Sequence, residues 1–219
     1  MFKLAKKVPS TSWSSEDPTS MKPKPKTIII LITGLWIFGT GDAIIIAAGM
    51  GVAPWTVLAQ GITEQVGMSV GRSTFLISLI ILFLWIPLKE RPGIGTILNA
   101  ILIAAAIDIM ILFLPTPDET ILQIIQVFVG TIFVGIGSGL YLTANLGPGP
   151  RDGLMTGIQK LTNIPIGNVR GFIEVVVLIF GFYLGGKVGV GTLIFAFFIG
   201  PIVAISLQLT GRIGRVKKV

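Results

Sequence analysis

The chain contains the segment GMGVAPWTVLAQGI at residues 49–62 and a second version of it, NLGPGPRDGLMTGI, at residues 145–158. Gly51, Pro54 and Leu58 recur 96 residues later as Gly147, Pro150 and Leu154. The correspondence continues to the GxGT elements at residues 93–96 and 189–192. Because the shared residues are mainly glycines and prolines, which shape the backbone, the pattern predicts one structural unit that occurs twice.

The composition indicates an integral membrane protein. Hydrophobic residues make up 52% of the 219 residues and charged residues only 12%, whereas about a quarter of the residues in a soluble domain are charged. A chain of this length has room for about six helices of roughly 20 apolar residues. The predicted spans are residues 27–47, 71–88, 94–114, 121–144, 167–184 and 190–210.

The distribution of basic residues predicts the orientation. Of the 17 Lys and Arg residues, only Arg72 and Lys187 fall on the side opposite to the N-terminus. Since cytoplasmic loops carry the excess of Lys and Arg, both termini are expected in the cytoplasm. The segment 1–26, rich in Lys, Ser, Thr and Pro, is predicted to be a disordered basic tail, and residues 211–219 a second basic tail.

The predicted fold is all-α and polytopic, with one transmembrane repeat at residues 27–114 and another at 115–210. Each repeat contains three spans, an odd number, so the second copy enters the membrane from the opposite side and the duplication is inverted. Inverted repeats are frequent in secondary transporters, whose substrate sites lie near the bilayer midplane. They also build channels, so the symmetry indicates a passage more firmly than a mechanism.

The duplicated segment predicts a short half-helix, re-entrant in the membrane, within each repeat. Pro54 and Pro150 suit the first position of a helix, because a backbone N–H at that position forms no hydrogen bond within the helix and its absence in proline costs nothing. Gly51, Gly147 and Gly149 permit backbone conformations that side chains forbid. An inward helix N-terminus favours an anion. The alternative is a pair of helices that lie flat at the membrane surface.

The second copy differs from the first in charge, because Arg151 and Asp152 stand where the first copy has Trp55 and Thr56. The guanidinium of Arg151 can hold a carboxylate or phosphate through its fork of donors. Asp152 can pair with Arg151 or meet a substrate ammonium. The alternative is an ion pair at the cytoplasmic surface with no further role.

Further candidates are polar residues within the spans. Glu174 and Asp42 are candidates for binding the coupling ion, H⁺ or Na⁺, because an ionisable group inside a span is a functional candidate by default. Arg170, four residues before Glu174, can instead form a purely stabilising pair with it. Asn99 is a candidate for substrate contact or for a structural bond between helices.

Other classes of function are disfavoured by the residues that are missing. The chain has no Cys and no His, which argues against zinc hydrolysis, haem ligation by His and His-dependent triads. No phosphate-binding loop or dinucleotide fingerprint is present. We therefore expect no enzyme activity, no cofactor and no metal site. The basic residues cluster at the chain termini and in short loops, a distribution that reflects membrane orientation. We therefore expect membrane lipids as partners, and we do not expect nucleic acid.

The segment GPGPRDGLMTGI at residues 147–158, followed by Arg170, Glu174 and the GxGT element at 189–192, resembles the YczE/YitT type of bacterial multi-pass membrane proteins. The residues Pro92 to Thr96 support the resemblance. It implies a protein of the bacterial cytoplasmic membrane, in a largely uncharacterised family whose members are expected to transport a solute. It implies no substrate.

The leading hypothesis is a secondary transporter that moves a small polar metabolite, anionic or zwitterionic, by alternating access. The predicted substrate-binding residues are Arg151, Asp152, Gly147, Gly149, Pro150, Gly51, Pro54 and Asn99. One alternative is a channel for a small solute or ion. Another is a structural or regulatory membrane protein without transport. None of these patterns determines the oligomeric state.

Overall fold

A computed structural model describes residues 8–214, and these form eight α-helices without strands. The helices are α1 (Pro25–Ala48), α2 (Pro54–Val66), α3 (Val70–Leu88), α4 (Ile94–Met110), α5 (Thr120–Ala144), α6 (Pro150–Thr162), α7 (Ile166–Tyr183) and α8 (Val190–Ile213). A 3-10 turn, Ile111–Phe113, extends α4.

Six of these helices are long and apolar enough to cross a membrane, namely α1, α3, α4, α5, α7 and α8. The ends of the helices fall within a few residues of the limits expected from hydropathy. The predicted all-α, six-span architecture is therefore confirmed.

The two remaining helices, α2 and α6, are short and alike. Each has 13 residues, begins with proline and ends at a residue in the left-handed conformation, Gly67 or Asn163. The first turns of both helices are buried or half-buried, and their last residues are exposed. Each short helix therefore points its N-terminus into the protein and its C-terminus outwards.

The centre of the bundle is the pair α1 and α5, which glycines allow to approach closely. A Cβ atom added to Gly41 would lie 2.7 Å from the carbonyl oxygen of Gly130, and one added to Gly130 would lie 2.7 Å from that of Gly41. Small residues at helix crossings permit this backbone contact inside a membrane. Around the central pair, α4 packs on α1 and α8 packs on α5.

The short helices pack across the two halves of the chain. Helix α2 lies against α7, and α6 lies against α3. The connections before them are also crossed: the N–H of Gly191 donates to the carbonyl of Met50 at 2.8 Å, and that of Gly95 donates to Leu146 at 2.7 Å. Each half therefore holds the other half's short helix in place.

Glycine is required in both of these connections. Gly51 and Gly147 have φ angles of +97° and +104°, which side chains rarely adopt. A Cβ atom on Gly51 would clash with the backbone of Gly189, and one on Gly147 would come within 2.7 Å of the Thr96 hydroxyl. This hydroxyl also accepts from the N–H of Gly93 and donates to the carbonyl of Pro148. The GxGT element at residues 93–96 is thus a packing and capping device.

The described part of the N-terminal segment is packed, and the expectation of disorder is wrong there. Trp13 is buried, and its indole N–H donates to the Thr143 hydroxyl at 3.1 Å. The N–H of Ser12 donates to the carbonyl of Gly214, so the two ends of the described chain lie at the same end of the bundle. Residues 1–7 and 215–219, which complete the predicted tails, lie outside the described residues.

Candidate functional site

A cavity of about 560 Å³ lies in the middle of the bundle, and all eight helices contribute to its wall. Its volume is in the range of small-molecule binding sites. The first turns of α2 and α6 line it with Pro54, Trp55, Arg151 and Asp152. The short helices therefore bring their N-termini to the central space.

Five charged side chains line this central cavity: Asp42, Arg151, Asp152, Arg170 and Glu174. They come from three elements, α1, α6 and α7, that are distant in the sequence. Burying charges in a membrane protein is costly unless they have partners or water. Their convergence on one cavity marks it as the candidate functional site.

Asp42 is the most buried of these groups, with 3% of its surface exposed. Among residues 8–214, no donor forms a hydrogen bond with its carboxylate, although Arg151 attracts it electrostatically. A buried carboxylate that lacks hydrogen bonds is costly unless it holds a proton or a cation. This environment fits the predicted coupling candidate.

Arg151 and Asp152 have different surroundings although they are adjacent. The guanidinium of Arg151 lies over the Trp55 ring, 5.2 Å from its centroid, a cation–π geometry. The carboxylate of Asp152 accepts a hydrogen bond from the Tyr141 hydroxyl at 2.8 Å. Neither residue forms an ion pair within 4.0 Å with another of the described residues. The two therefore present opposite charges side by side to the cavity.

Arg170 and Glu174 form the ion pair that their spacing predicts. The Nε of Arg170 lies 2.8 Å from Oε1 of Glu174. Both side chains also line the cavity, so the stabilising contact and the place in the candidate site exist together.

Thr74 adds a second polar group without a protein partner. Its hydroxyl oxygen has almost no accessible surface and forms no hydrogen bond with any of the described residues. It lines the same cavity as Asp42. Buried polar groups are nearly always satisfied, but these two residues are buried polar groups of the cavity wall that the described part of the protein leaves without a hydrogen bond.

Residues 96 positions apart line the cavity in pairs. Five pairs carry different chemistry in the two copies: Asp42 and Ser138, Trp55 and Arg151, Thr74 and Arg170, Ser78 and Glu174, and Asn99 and Phe195. Three pairs are apolar in both copies: Phe38 and Val134, Ala53 and Gly149, and Ile103 and Ile199. The duplicated positions thus surround one shared space with an asymmetric distribution of charge.

Comparison with known proteins shows which family the chain belongs to. A family of unknown function, DUF6198, matches residues 25–208. The chain belongs to this family. An uncharacterized protein of Haemophilus influenzae is 42% identical over 217 residues, which cover 99% of this chain and 98% of the relative. No solved structure matches the chain.

Two relatives from Bacillus subtilis are more distant. The uncharacterized membrane protein YczE is 32% identical over 182 residues, covering 78% of this chain and 85% of YczE. The uncharacterized protein YyaS is 24% identical over 163 residues, covering 73% and 81%. The resemblance to YczE-type membrane proteins is therefore confirmed.

In this DUF6198 protein, the predicted site residues divide into two groups. Arg151, Asp152, Gly149, Pro54, Asn99, Glu174 and Asp42 line the central cavity. Gly51, Gly147 and Pro150 lie outside its wall. The two glycines allow the crossed connections, and the carbonyl of Pro150 accepts from the Trp85 indole at 3.0 Å. Their observed contacts hold the short helices in place.

Among the cavity residues of the DUF6198 protein that were not recognised from the sequence are Trp55, Thr74 and Tyr141. Trp55 and Thr74 could have been found, because they occupy the positions equivalent to Arg151 and Arg170 in the first copy. Tyr141 has no such signal, since its importance depends on a contact with Asp152 on another helix. Within residues 8–214, no group of three or more Asp and Glu residues is arranged to hold a metal ion.

Proposed function

We propose that this protein is a secondary transporter that moves a small charged metabolite by alternating access around the central cavity. The observation that carries the proposal is the convergence of five charged side chains on one cavity inside a six-span bundle. Intramembrane charges of this kind typically mark substrate and ion pathways.

An inverted arrangement of the two repeats supports alternating access. Three spans per repeat place the copies in opposite orientations, and the short helices α2 and α6 would then be re-entrant from opposite sides. The reciprocal hydrogen bonds of Gly191 with Met50 and of Gly95 with Leu146 fit two halves related in this way. Transporters of this design rock one repeat against the other around a fixed site.

The charges of the site favour a zwitterionic substrate. Arg151, which lies at the start of α6 without an ion pair, would bind the negative group through its guanidinium. Asp152, which accepts only the Tyr141 hydroxyl, would accept from an ammonium. Arg170 is less available, because Glu174 already pairs with it.

Asp42 is the better of the two coupling candidates. Its carboxylate is buried without a protein donor, whereas that of Glu174 is held by Arg170. Binding of H⁺ or Na⁺ at Asp42 would neutralise the cavity and link ion movement to substrate movement.

The test is uptake of a metabolite library by proteoliposomes that carry an imposed H⁺ or Na⁺ gradient. We expect a zwitterionic metabolite to accumulate above its external concentration, and Arg151→Ala to lower the uptake rate about tenfold or more, because a charge-assisted bond is lost. Arg72→Ala is the matched control, since Arg72 is exposed and does not line the central cavity.

Two results would contradict the proposal. Flux that only equilibrates the solute would indicate a channel. Equal transport by the Arg151→Ala and Arg72→Ala proteins would remove Arg151 from the substrate site.

A further inference from the structure

The two halves of the bundle differ in the packing between α7 and α8. Helix α3 packs along α4, but their counterparts in the second half, α7 and α8, do not pack along one another. Residues of both α7 and α8 line the central cavity. The cavity wall is therefore not closed by helix packing in the space between α7 and α8.

Exposure at the rim of this space supports a lateral opening. Arg170 lines the cavity on α7, yet 56% of its side chain is exposed. Gly200 lines it on α8, and a Cβ atom added there would have no neighbour within 4 Å. We use the term "side window" for the opening between Arg170 and Glu174 on α7 and Gly200 and Ala204 on α8.

The wall of the cavity has a charged part and an apolar part. Arg151 and Asp152 lie at the start of α6, whereas α8 contributes Phe195, Ile199 and Val203. A small polar metabolite would satisfy only the first part. A molecule with a charged head and a hydrocarbon chain would satisfy both parts, since apolar surface is favoured away from water.

We propose that the substrate is an amphiphile with a zwitterionic head group, which is bound by Arg151 and Asp152 while its hydrocarbon chain leaves through the side window into the bilayer. This inference rests on the proposed function and adds the chemical class of the substrate and its route. The unpartnered Thr74 hydroxyl and Asp42 carboxylate supply further polar contacts for the head. A cavity of about 560 Å³ holds the head and the start of a chain, and the rest of the chain lies in the membrane.

The test is photo-crosslinking in liposomes of phosphatidylglycerol and cardiolipin. The probe is a trace of lysophosphatidylethanolamine with a diazirine in its acyl chain, and mass spectrometry maps the labelled residues. We expect labelling of the cavity-lining residues of α8. We also expect Gly200→Phe, which fills the side window, to lower this labelling about tenfold. This factor corresponds to a loss of about 1.4 kcal/mol of binding free energy when the phenylalanine ring occupies the space of the acyl chain.

The matched control is Gly171→Phe. Gly171 is also a helical glycine at which an added Cβ atom would have no neighbour within 4 Å, but it does not line the cavity. Both substitutions have space, so both proteins are expected to fold, and the Gly171→Phe protein should be labelled like the wild type. Labelling that is equal in the two variants, or spread evenly over lipid-facing positions, would overturn the inference.

A second measurement separates this inference from the proposed function. Soluble phosphoethanolamine, the head group alone, should raise the unfolding temperature of the wild type but not of Arg151→Ala, because a ligand stabilises the state that binds it. If it does so while Gly200→Phe leaves labelling unchanged, the amphiphile is wrong and the polar site stands. If neither probe binds, both proposals fail. Crosslinking of one copy to another across the side window would also overturn the inference, since a second copy would then fill it.

Discussion

Thr74 is unusual at the scale of single residues, because it belongs to the wall of the central cavity and its buried hydroxyl has no protein partner. Leaving a buried hydroxyl unsatisfied costs about 1–3 kcal/mol. A bound ligand or water removes this cost. The position equivalent to Thr74 in the second copy is Arg170, so both copies place a donor at this level of the cavity.

We predict that Thr74→Val separates stability from binding. The isosteric change removes an unsatisfied group, so the unfolding temperature of the ligand-free protein should stay the same or rise. The KM for the substrate should increase about three- to tenfold, as expected when one hydrogen bond is lost. Thermal unfolding and proteoliposome uptake measure the two effects.

Thr131→Val serves as the control for this change. Thr131 is equally buried, but its hydroxyl donates to the carbonyl of Val127 within α5 and does not face the cavity. Its replacement should leave KM unchanged. An unaltered KM in Thr74→Val would show that the hydroxyl does not contact the substrate.

Asp42 leads to a second prediction at this scale. Asp42→Asn keeps the shape of the side chain but cannot release a proton and binds Na⁺ poorly. Gradient-driven accumulation should therefore fall about tenfold or more, the effect of losing roughly 1.4 kcal/mol or more. Exchange of substrate across the membrane at equal concentrations, which needs no coupling, should persist.

Asp108→Asn is the comparison for Asp42→Asn. The carboxylate of Asp108 accepts from the N–H of Gly71 and the hydroxyl of Ser69, and thereby caps α3. Its loss should lower stability without removing accumulation. Loss of exchange together with accumulation in Asp42→Asn would indicate that Asp42 binds the substrate itself.

At the scale of the elements, the crossed connections decide where the short helices lie. Gly49 and Gly51 both have positive φ angles. The backbone of Gly189 lies against Gly51, whereas nothing lies near Gly49. Substitution of Gly49 therefore tests only the backbone conformation, whereas substitution of Gly51 tests the backbone conformation and the close contact together.

We predict that Gly51→Ala destabilises the protein more than Gly49→Ala. Both substitutions force alanine into the left-handed region, at about 1–2 kcal/mol. Gly51→Ala should lose about 1–3 kcal/mol more, because its methyl group overpacks the contact with α8. Denaturant unfolding in detergent measures the difference. Equal losses would mean that the contact between residues 51 and 189 is not maintained.

At the scale of the whole molecule, the proposed inverted arrangement of the two repeats predicts opposite exposure of α2 and α6. Val66 and Thr162 are equivalent positions at the exposed ends of these helices. In intact spheroplasts, Val66→Cys should react with a membrane-impermeant maleimide, and Thr162→Cys only after permeabilisation.

The natural chain has no cysteine and therefore gives no background labelling. Leu112→Cys, at the exposed end of α4, should react like Val66→Cys. Labelling of Val66→Cys and Thr162→Cys from the same side would contradict the inversion.

The architecture was largely accessible from the sequence, because hydropathy locates spans and repeated Gly and Pro locate the short helices. The charged residues of the site were accessible for the same reason, since charges are rare within apolar segments. The packing of Trp13 on Thr143 was not, because it joins residues 130 positions apart and a polar, proline-rich composition favours disorder. The space between α7 and α8 was also missed, since it depends on side-chain packing that differs between similar helices.

The crossed support of the two halves also has a consequence for biosynthesis. When the first half leaves the ribosome, the connection before α2 still lacks Gly191, its partner at the start of the last helix. The nascent protein therefore carries an unsupported segment until α8 has been synthesised. A chain truncated before α8 should be recognised by membrane proteases and removed, so this bundle matures as one unit and never as a free-standing half.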